Sequence, residues 1–354
     1  MAKIMTCFSV AEAYRTMTKT GFRDGVVADS TRSTGRQGLW LAILLCLPLQ
    51  LLAGSYSLLT AFGNNPGQLR GWIYLPANIQ SGAPVVVAMH GCQQKARDYA
   101  GDSGWVQLAD RFGFALVLPE QNFFNNPYLC FNWFNPADSR RDQGEAASIM
   151  QMTDHAIARY QLDTKRLYVT GLSAGGAMTA VMLAIYPDRF AAGAILAGVP
   201  FRCTDWPSAA WACLAYGNWW VFSAQGWGDR VRDENPYPGP WPRVSIWQGQ
   251  QDPVVNKVNA KDLVAQWTNL LGIDQEADVT TTAKGHTTLS YQDQAQRTLV
   301  EYHQIDGMGH GVPVDPQQDC GTDRSFPEDY MFDRDLCSTR LIAEFWGLVP
   351  DPGR

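Results

Sequence analysis

The stretch Arg166-Leu-Tyr-Val-Thr-Gly-Leu-Ser-Ala-Gly-Gly-Ala-Met178 decides the fold, because it sets G-x-S-x-G between a β-branched run and a run of small residues. Residues 167–170 are typical of a buried strand, and residues 174–185 are typical of a helix rich in small and apolar side chains. The chain must turn sharply between them, and the two outer glycines of the motif permit a close approach that any Cβ would block. The motif therefore predicts that Ser173 lies at the tip of a strand-to-helix turn.

Ser173 can act as a nucleophile only if a base removes its proton and amide groups stabilise the resulting oxyanion. Asp252 lies just past the strand predicted to end near Trp247, and His310 lies in a glycine-rich segment after the last predicted strand. The order serine, acid, histidine is that of a hydrolytic triad on a parallel sheet. We predict that Ser173 attacks an ester carbonyl, His310 passes the proton to the leaving alcohol, and Asp252 orients the imidazole.

Other histidines and aspartates compete for the roles of base and acid. The other four histidines lie, respectively, before the serine motif, in a predicted helix, in a predicted strand and in a polar segment interpreted as a loop: His90, His155, His303 and His286. Asp274 and Asp306 are alternative acids, although Asp306 is close to His310 in sequence and so reaches it less easily from a neighbouring strand. An exposed turn histidine and a turn-capping aspartate are the non-catalytic interpretations of His310 and Asp252.

Two backbone amides are predicted to bind the oxyanion. One belongs to Ala174, the residue after the nucleophile. The other comes from His90-Gly-Cys92, which closes an apolar run beginning at Pro84 and so occupies the loop after an earlier strand. We assign it to Cys92, with Gly91 as the alternative and an ordinary strand-end turn as the non-catalytic interpretation.

Strand-like and helix-like segments alternate along the chain, which predicts a mostly parallel, doubly wound α/β sheet with helices on both faces. Apolar runs predict strands, and helical spacing of apolar residues predicts helices. The predicted strands lie at 58–75 (a pair), 84–91, 114–119, 167–170, 191–198, 243–249 and 298–305, and the predicted helices at 105–112, 144–160, 174–185 and 262–271. We expect one catalytic domain over residues 55–350, without internal repeats, a linker or an appended binding module.

The first 54 residues differ in character from the rest. Residues 1–38 contain six Lys or Arg and three Asp or Glu, and the apolar run Leu39–Ala53 follows Arg32 and Arg36 and precedes Gly54-Ser55. A basic, an apolar and a small-residue segment make up a secretory signal, so we expect residues 1–54 to be a leader and the protein to be extracellular or periplasmic. The apolar run is short for a membrane span of roughly 20 residues. A signal anchor is the alternative, and no stable membrane partner is expected.

Cysteine usage agrees with export. Six of the eight cysteines lie beyond the leader, an even number typical of disulfides in an exported protein. Short loops favour the pairs Cys203–Cys213 and Cys320–Cys337, which leaves Cys92–Cys130. A zinc site is the rival interpretation. No C-x-x-C or H-E-x-x-H pattern occurs, so we expect no metal.

Residues 201–243 form an aromatic-rich segment between two predicted strands. They include Trp206, Trp211, Trp219, Trp220, Trp227 and Tyr237. We interpret the segment as an insertion over the catalytic face that grips a polymer or a phenolic acyl group, with packing inside a small subdomain as the alternative. Trp219, Trp220 and, outside the insertion, Trp133 are the predicted substrate contacts.

Four segments together resemble the poly(3-hydroxybutyrate) depolymerase-type esterases, a group that also contains feruloyl and acetylxylan esterases. The segments are Met89–Gln94, Asn132–Phe134, Gly171–Met178 and Tyr186–Ala191, and the resemblance extends over residues 69–346. It implies the α/β-hydrolase fold, a serine esterase mechanism without a cofactor, and Ser173, Asp252 and His310 as the triad.

The resemblance also suggests the partners. The expected substrate is poly- or oligo(3-hydroxybutyrate), and the alternative is feruloylated or acetylated plant polysaccharide. Depolymerases of solid polymer usually carry a separate polymer-binding domain, and its absence here puts insoluble polyester in doubt as the main substrate. A formal net charge of −6 argues against a nucleic-acid partner. A non-catalytic polymer-binding protein on a hydrolase fold is the alternative of another class, and it predicts an incomplete triad.

Overall fold

The computed structural model describes residues 54–204, 206–217, 222–322 and 330–350. Strands and helices alternate over much of this part of the chain. The strands are β1 (Ser55–Leu59), β2 (Arg70–Leu75), β3 (Val85–Met89), β4 (Ala115–Glu120), β5 (Leu167–Leu172), β6 (Ala192–Leu196), β7 (Arg243–Gly249), β8 (Val279–Ala283), β9 (His286–Gln292), β10 (Thr298–Ile305), β11 (Val312–Val314) and β12 (Met331–Asp333). The helices are α1 (Ala96–Asp102), α2 (Trp105–Phe112), α3 (Gly144–Tyr160), α4 (Ala174–Ile185), α5 (Ala210–Tyr216), α6 (Ala224–Glu234), α7 (Val258–Leu271) and α8 (Ser338–Trp346).

Ten strands of the described chain form one sheet in the order β1-β2-β4-β3-β5-β6-β7-β10-β9-β8. The strands from β4 to β10 in this order run parallel. Antiparallel strands extend the sheet at both edges, β1 and β2 on one side and β9 and β8 on the other. Strands β3 to β6 are buried along their whole length, as expected of parallel strands covered on both faces. The predicted α/β class is confirmed.

Two apolar cores lie on opposite faces of the sheet. Val85, Val87 and Met89 of β3 pack with α3, α4, α6 and α7, whereas Val86 and Ala88 pack with α1, α2 and α8. Successive residues of a strand point to opposite faces, so the two helix groups cover the two sides. The carboxyl ends of the parallel strands meet at one edge, and the loops at this edge carry all the predicted catalytic residues.

Five predicted elements, α2, α3, α4, β7 and β10, have the observed bounds. Helix α7 begins at Val258 instead of residue 262. The prediction missed the first turn because it contains the buried polar Asn259, which interrupts the apolar pattern and donates to carbonyl groups of α5. The interpretation of His286 as a loop residue is wrong, since it begins strand β9. The β8–β9 hairpin is rich in threonine, and β8 is exposed at every position, so no apolar alternation marks it. A two-residue turn with positive φ at Lys284 and Gly285 connects its strands.

Three disulfides join Cys92 to Cys130, Cys203 to Cys213 and Cys320 to Cys337. The last two are the pairs that short loops favour, and the first is the pair that they leave. The three bonds fit an extracellular protein. Within the described ranges, no helix has the length and apolar character needed to cross a bilayer. The predicted leader lies outside the described residues except for Gly54, so its boundary stays a prediction.

Replacing Cys92 and Cys130 with alanine is expected to lower the free energy of unfolding by about 4 kcal/mol, because this bond spans a sequence separation of 38 residues. Urea unfolding followed by circular dichroism measures the loss. The matched control removes Cys203 and Cys213, whose separation is 10 residues, and its expected loss is smaller, about 3 kcal/mol. A larger loss from the shorter loop would contradict the entropic argument.

Candidate active site

Ser173 lies at the turn between β5 and α4 in a backbone conformation that few residues adopt. Its φ and ψ are 57° and −117°, and strained conformations of this kind cluster at functional sites. The Ser173 amide donates to the Leu196 carbonyl at 2.9 Å, which fixes the turn against β6. A Cβ on Gly171 would lie 2.5 Å from Gly175, and one on Gly175 would lie 2.3 Å from the Met89 carbonyl oxygen. Close packing therefore requires both glycines, as the motif predicts.

Asp252 and His310 meet beyond the carboxyl ends of the neighbouring strands β7 and β10. Hydrogen bonds from Gln250 N to Ile305 O (2.9 Å) and from Gln251 N to Met308 O (3.0 Å) join the segments that follow these strands. His310 Nδ1 lies 2.8 Å from Asp252 Oδ2, and the two side chains are 6% and 0% exposed. Since a carboxylate can only accept, Nδ1 is the donor. This contact leaves Nε2 as the atom that can take a proton.

Gln248 is a partner of Asp252 that sequence reasoning missed. Asp252 Oδ1 accepts from the amides of Val254 (2.8 Å) and Val255 (2.9 Å). Asp252 Oδ2 accepts from Gln248 Nε2 at 3.0 Å as well as from His310. Gln248 is buried and also donates to the Val255 carbonyl. Four donors, His310 among them, thus hold the carboxylate in place. A buried glutamine at a strand end gives no periodic signal in the sequence, so the role of Gln248 could not be predicted.

The structure brings acid and base together without a bond from the base to the nucleophile. Within the described part of the chain, neither Ser173 Oγ nor His310 Nε2 has a hydrogen-bond partner. Ser173 follows β5 and His310 follows β10, and only β6 and β7 lie between these strands. Catalytic hydrogen bonds are often long in unliganded enzymes and tighten when substrate binds. The pairing of Ser173 with His310 stays a prediction.

The two predicted oxyanion donors lie on segments that pack together. Ala174 is the first residue of α4, so its N–H has no acceptor within the helix. The Cys92 N–H has no acceptor among the described residues. The alternative donor, Gly91 N, is already engaged, because it donates to Gln94 Oε1 at 2.8 Å. This arrangement favours Cys92 over Gly91, and the disulfide to Cys130 holds the loop in place.

His90 supports the same loop, a role that sequence reasoning also missed. Its ring is fully buried, with Nδ1 2.6 Å from Gly91 O and Nε2 3.1 Å from Gln121 N. A backbone N–H can only donate, so Nε2 accepts and the ring is the neutral tautomer with its proton on Nδ1. Burial lowers the pKa of His90, which favours the same neutral form. The ring thus fixes the Gly91 peptide next to Cys92.

Glu145, fully buried in the first turn of α3, organises the loop that carries Trp133. Its carboxylate accepts from Asn132 N (2.7 Å), Asn132 Nδ2 (2.8 Å), Gln121 Nε2 (2.6 Å) and Asn125 Nδ2 (2.8 Å). Because Gln121 N also bonds to His90, the network reaches the candidate oxyanion loop. Burial, with the charge of Asp138 as a lesser cause, raises the pKa of Glu145 to about 8 against the opposing effect of these hydrogen bonds.

Glu145 is expected to make the protein less stable as the pH rises. Its pKa rises from 4.5 to about 8 on folding, so the folded state binds more protons than the unfolded state between these values. The free energy of unfolding therefore falls as the pH increases through this window, by up to about 1.4 kcal/mol per pH unit from this group. The free energy of unfolding, measured with urea at several pH values in this window, should fall less steeply with pH for Glu145→Gln than for the wild type. Equal slopes would contradict the assignment.

The predicted aromatic substrate contacts differ in position. Trp133 is 7% exposed and belongs to the apolar core, while Trp219 and Trp220 lie outside the described residues. In the insertion, Trp227 is fully buried and Trp211 is 67% exposed. The insertion therefore contributes aromatic side chains to the core and to the surface, and substrate contact by the three predicted tryptophans stays a prediction.

Comparisons with known proteins find similar chains over most of the described residues. Residues 70–290 match the family model described as esterase PHB depolymerase. Poly(3-hydroxyalkanoate) depolymerase C of Paucimonas lemoignei is 41% identical over 317 residues, which cover 87% of this chain and 75% of that protein. Feruloyl esterase B of Talaromyces funiculosus is 31% identical over 284 residues, 78% of each chain. Among solved structures, acetyl xylan esterase from Aspergillus awamori is 28% identical with a TM-score of 0.68, covering 75% of this chain and 97% of that one.

Proposed function

The chain belongs to the esterase PHB depolymerase family, and from this premise we propose that it is an exported serine esterase that hydrolyses poly- or oligo(3-hydroxybutyrate). The observation that carries the choice of polyester is the 41% identity to a poly(3-hydroxyalkanoate) depolymerase, against 31% to a feruloyl esterase. Residues 55–350 form its catalytic domain, and residues 1–54 are the leader that directs export.

Hydrolysis proceeds in two steps through an acyl-enzyme. His310 Nε2 removes the proton of Ser173 Oγ as the oxygen attacks the ester carbonyl, and the amides of Cys92 and Ala174 bind the oxyanion. The intermediate collapses, and the imidazolium gives its proton to the departing alcohol. His310 then activates a water that cleaves the acyl-enzyme and releases the acid. Asp252, held by Gln248 and two backbone amides, keeps the imidazole oriented throughout.

An exposed aromatic patch beside the oxyanion loop supports a polymeric substrate. The patch consists of Phe123 and Phe124, whose rings meet edge to face, and of Tyr128 farther along the same loop; they are 64%, 94% and 71% exposed. It adjoins the oxyanion loop, because the Tyr128 carbonyl accepts from Gln93 N at 3.2 Å. Exposed large apolar side chains that cluster together mark interaction sites. An aliphatic polyester surface could cover this patch while one ester group enters the site.

Replacing Phe123 and Phe124 with serine is expected to weaken adsorption to a poly(3-hydroxybutyrate) film by about tenfold or more, since burial of each aromatic side chain contributes more than about 1.5 kcal/mol. Hydrolysis of soluble p-nitrophenyl butyrate should not change. The matched control is Leu58→Ser, which alters a residue 47% exposed on the edge strand β1. Equal adsorption of the patch variant and the control variant would remove the patch from the proposal.

Feruloyl or acetylxylan ester hydrolysis is the second candidate, favoured by the TM-score of 0.68 to an acetyl xylan esterase. The deciding experiment compares kcat/KM for 3-hydroxybutyrate trimer, methyl ferulate and acetylated xylan under the same conditions. We expect the trimer to be the preferred substrate. A higher value for methyl ferulate or acetylated xylan would replace the polyester proposal with the second candidate and leave the triad unaffected.

A further inference from the structure

A second cluster of titratable side chains lies outside the candidate active site, on the sheet face formed by β7, β10, β9 and β8. A cavity of about 920 Å³ opens there, and its walls include Thr288, His286, Glu301 and His303. His303 pairs with Trp247 on one neighbouring strand and with Thr288 on the other. His286 and Glu301 are each two residues from a member of this row, so all five side chains share one face.

Three polar atoms of this cluster converge on one point. His286 Nε2 lies 2.9 Å from His303 Nδ1, and Thr288 Oγ1 lies 3.2 Å from each nitrogen. Ligands at roughly 2.0–2.1 Å from a tetrahedral ion are separated from one another by about 3.3 Å. The triangle of two imidazole nitrogens and one hydroxyl oxygen, with edges of 2.9, 3.2 and 3.2 Å, is therefore close to the size that one ion requires.

The surroundings of His303 prepare it as a ligand. Its Nε2 donates to Glu301 Oε2 at 3.2 Å, and its ring stacks on Trp247 with centroids 3.7 Å apart and planes 6° apart. A carboxylate behind an imidazole is the usual outer partner of a metal-binding histidine, because it fixes the ring and leaves the inner nitrogen unprotonated.

We propose that His286 and His303 bind one divalent transition-metal ion of the Cu²⁺ or Zn²⁺ type, with the Thr288 hydroxyl and solvent completing its coordination. Imidazole suits these ions, and on binding His286 carries its proton on Nδ1 while Nε2 faces the ion. The part of the chain that the structure describes holds no metal-binding group of three or more His, Cys, Asp or Glu side chains. The site is accordingly an open two-histidine clamp that links β9, the neighbour of the edge strand β8, to β10.

Cu²⁺ added to tag-free protein tests the proposal, with binding followed by electron paramagnetic resonance and by the thermal midpoint. We expect one ion per chain, coupling to imidazole nitrogens, and a higher midpoint because the ion binds only the folded clamp. His286→Ala and His303→Ala should each weaken Cu²⁺ binding at least about tenfold. Glu301→Gln should weaken it by about tenfold while the nitrogen coupling persists, because this carboxylate acts through His303.

His155→Ala is the matched control, since His155 lies on α3 away from the cluster, and it should bind Cu²⁺ like the wild type. His303→Ala removes the stack on Trp247 and can therefore fail to fold. His286 is only half-buried, so His286→Ala tests the proposal in that case. Wild-type Cu²⁺ affinity and nitrogen coupling in His286→Ala would overturn the proposal. Hydrolysis of p-nitrophenyl butyrate should be unchanged in this variant, so failure of the metal site and failure of the esterase assignment are distinguishable.

Discussion

Ser173→Ala is expected to lower kcat for p-nitrophenyl butyrate at least about 10⁴-fold while the protein remains folded. The loss is large because no other group can form the acyl-enzyme, and the remaining rate comes from the oxyanion amides and substrate binding alone. The fold should persist, since the elbow is held by the Ser173 backbone amide and by the packing of two glycines, none of which needs the hydroxyl.

The measurement is a steady-state assay beside circular dichroism spectra of both proteins. Ser57→Ala is the matched control, because it removes an exposed hydroxyl from edge strand β1, and it should retain wild-type activity. Activity of Ser173→Ala within severalfold of the wild type would reject the serine mechanism. Inactive wild-type protein on every ester tested would instead favour the non-catalytic polymer-binding alternative.

The parts of the site that could be predicted from sequence are those encoded by local chemistry. G-x-S-x-G requires glycines at fixed positions because the helix and strand approach too closely for a Cβ, and the structure shows these contacts at Gly171 and Gly175. Asp252 and His310 could be placed near each other because each follows a strand of a parallel sheet, and the carboxyl ends of such strands share one edge. Short loops favoured two of the three disulfide pairs, and the third pair followed because only Cys92 and Cys130 were left.

The supporting side chains could not be predicted, because their roles depend on contacts between distant segments. Glu145 bonds to residues 121, 125 and 132 from the start of α3, and the sequence gives no sign that a helical glutamate is fully buried. Gln248 likewise donates a hydrogen bond to Asp252, and His90 donates one to the Gly91 carbonyl. The β8–β9 hairpin was missed for another reason, since its exposed threonine-rich strands carry no apolar alternation.

Asp252→Asn is expected to lower kcat about 10⁴-fold near neutral pH, the magnitude found when the acid of a serine triad is converted to its amide. The asparagine oxygen can still accept from the amides of Val254 and Val255, but its NH₂ group would then face His310 Nδ1 and Gln248 Nε2. Two donors cannot face each other, so His310 must place its proton on Nε2. The base then has no lone pair for the proton of Ser173.

Gln248 should not rescue the variant. Its Oε1 has no partner among the described residues, so an amide flip could accept from the new Asn NH₂ group. The same flip would remove the N–H that now donates to the Val255 carbonyl and leave that acceptor unpaired, at a cost of about 1–3 kcal/mol. The orientation of His310 therefore depends on a carboxylate at position 252.

Asp306→Asn is the matched control for the acid, because Asp306 is the exposed alternative on the loop before His310, and its kcat should match the wild type. A greater loss of kcat in Asp306→Asn than in Asp252→Asn would show that the acid is Asp306, after β10, and that its assignment to Asp252, after β7, is wrong. The double variant Ser173→Ala/Asp252→Asn supplies a stronger test, because residues that act as one unit have strongly non-additive effects. Its residual rate should equal that of Ser173→Ala alone, since an oriented imidazole has no function once the hydroxyl that it deprotonates is gone.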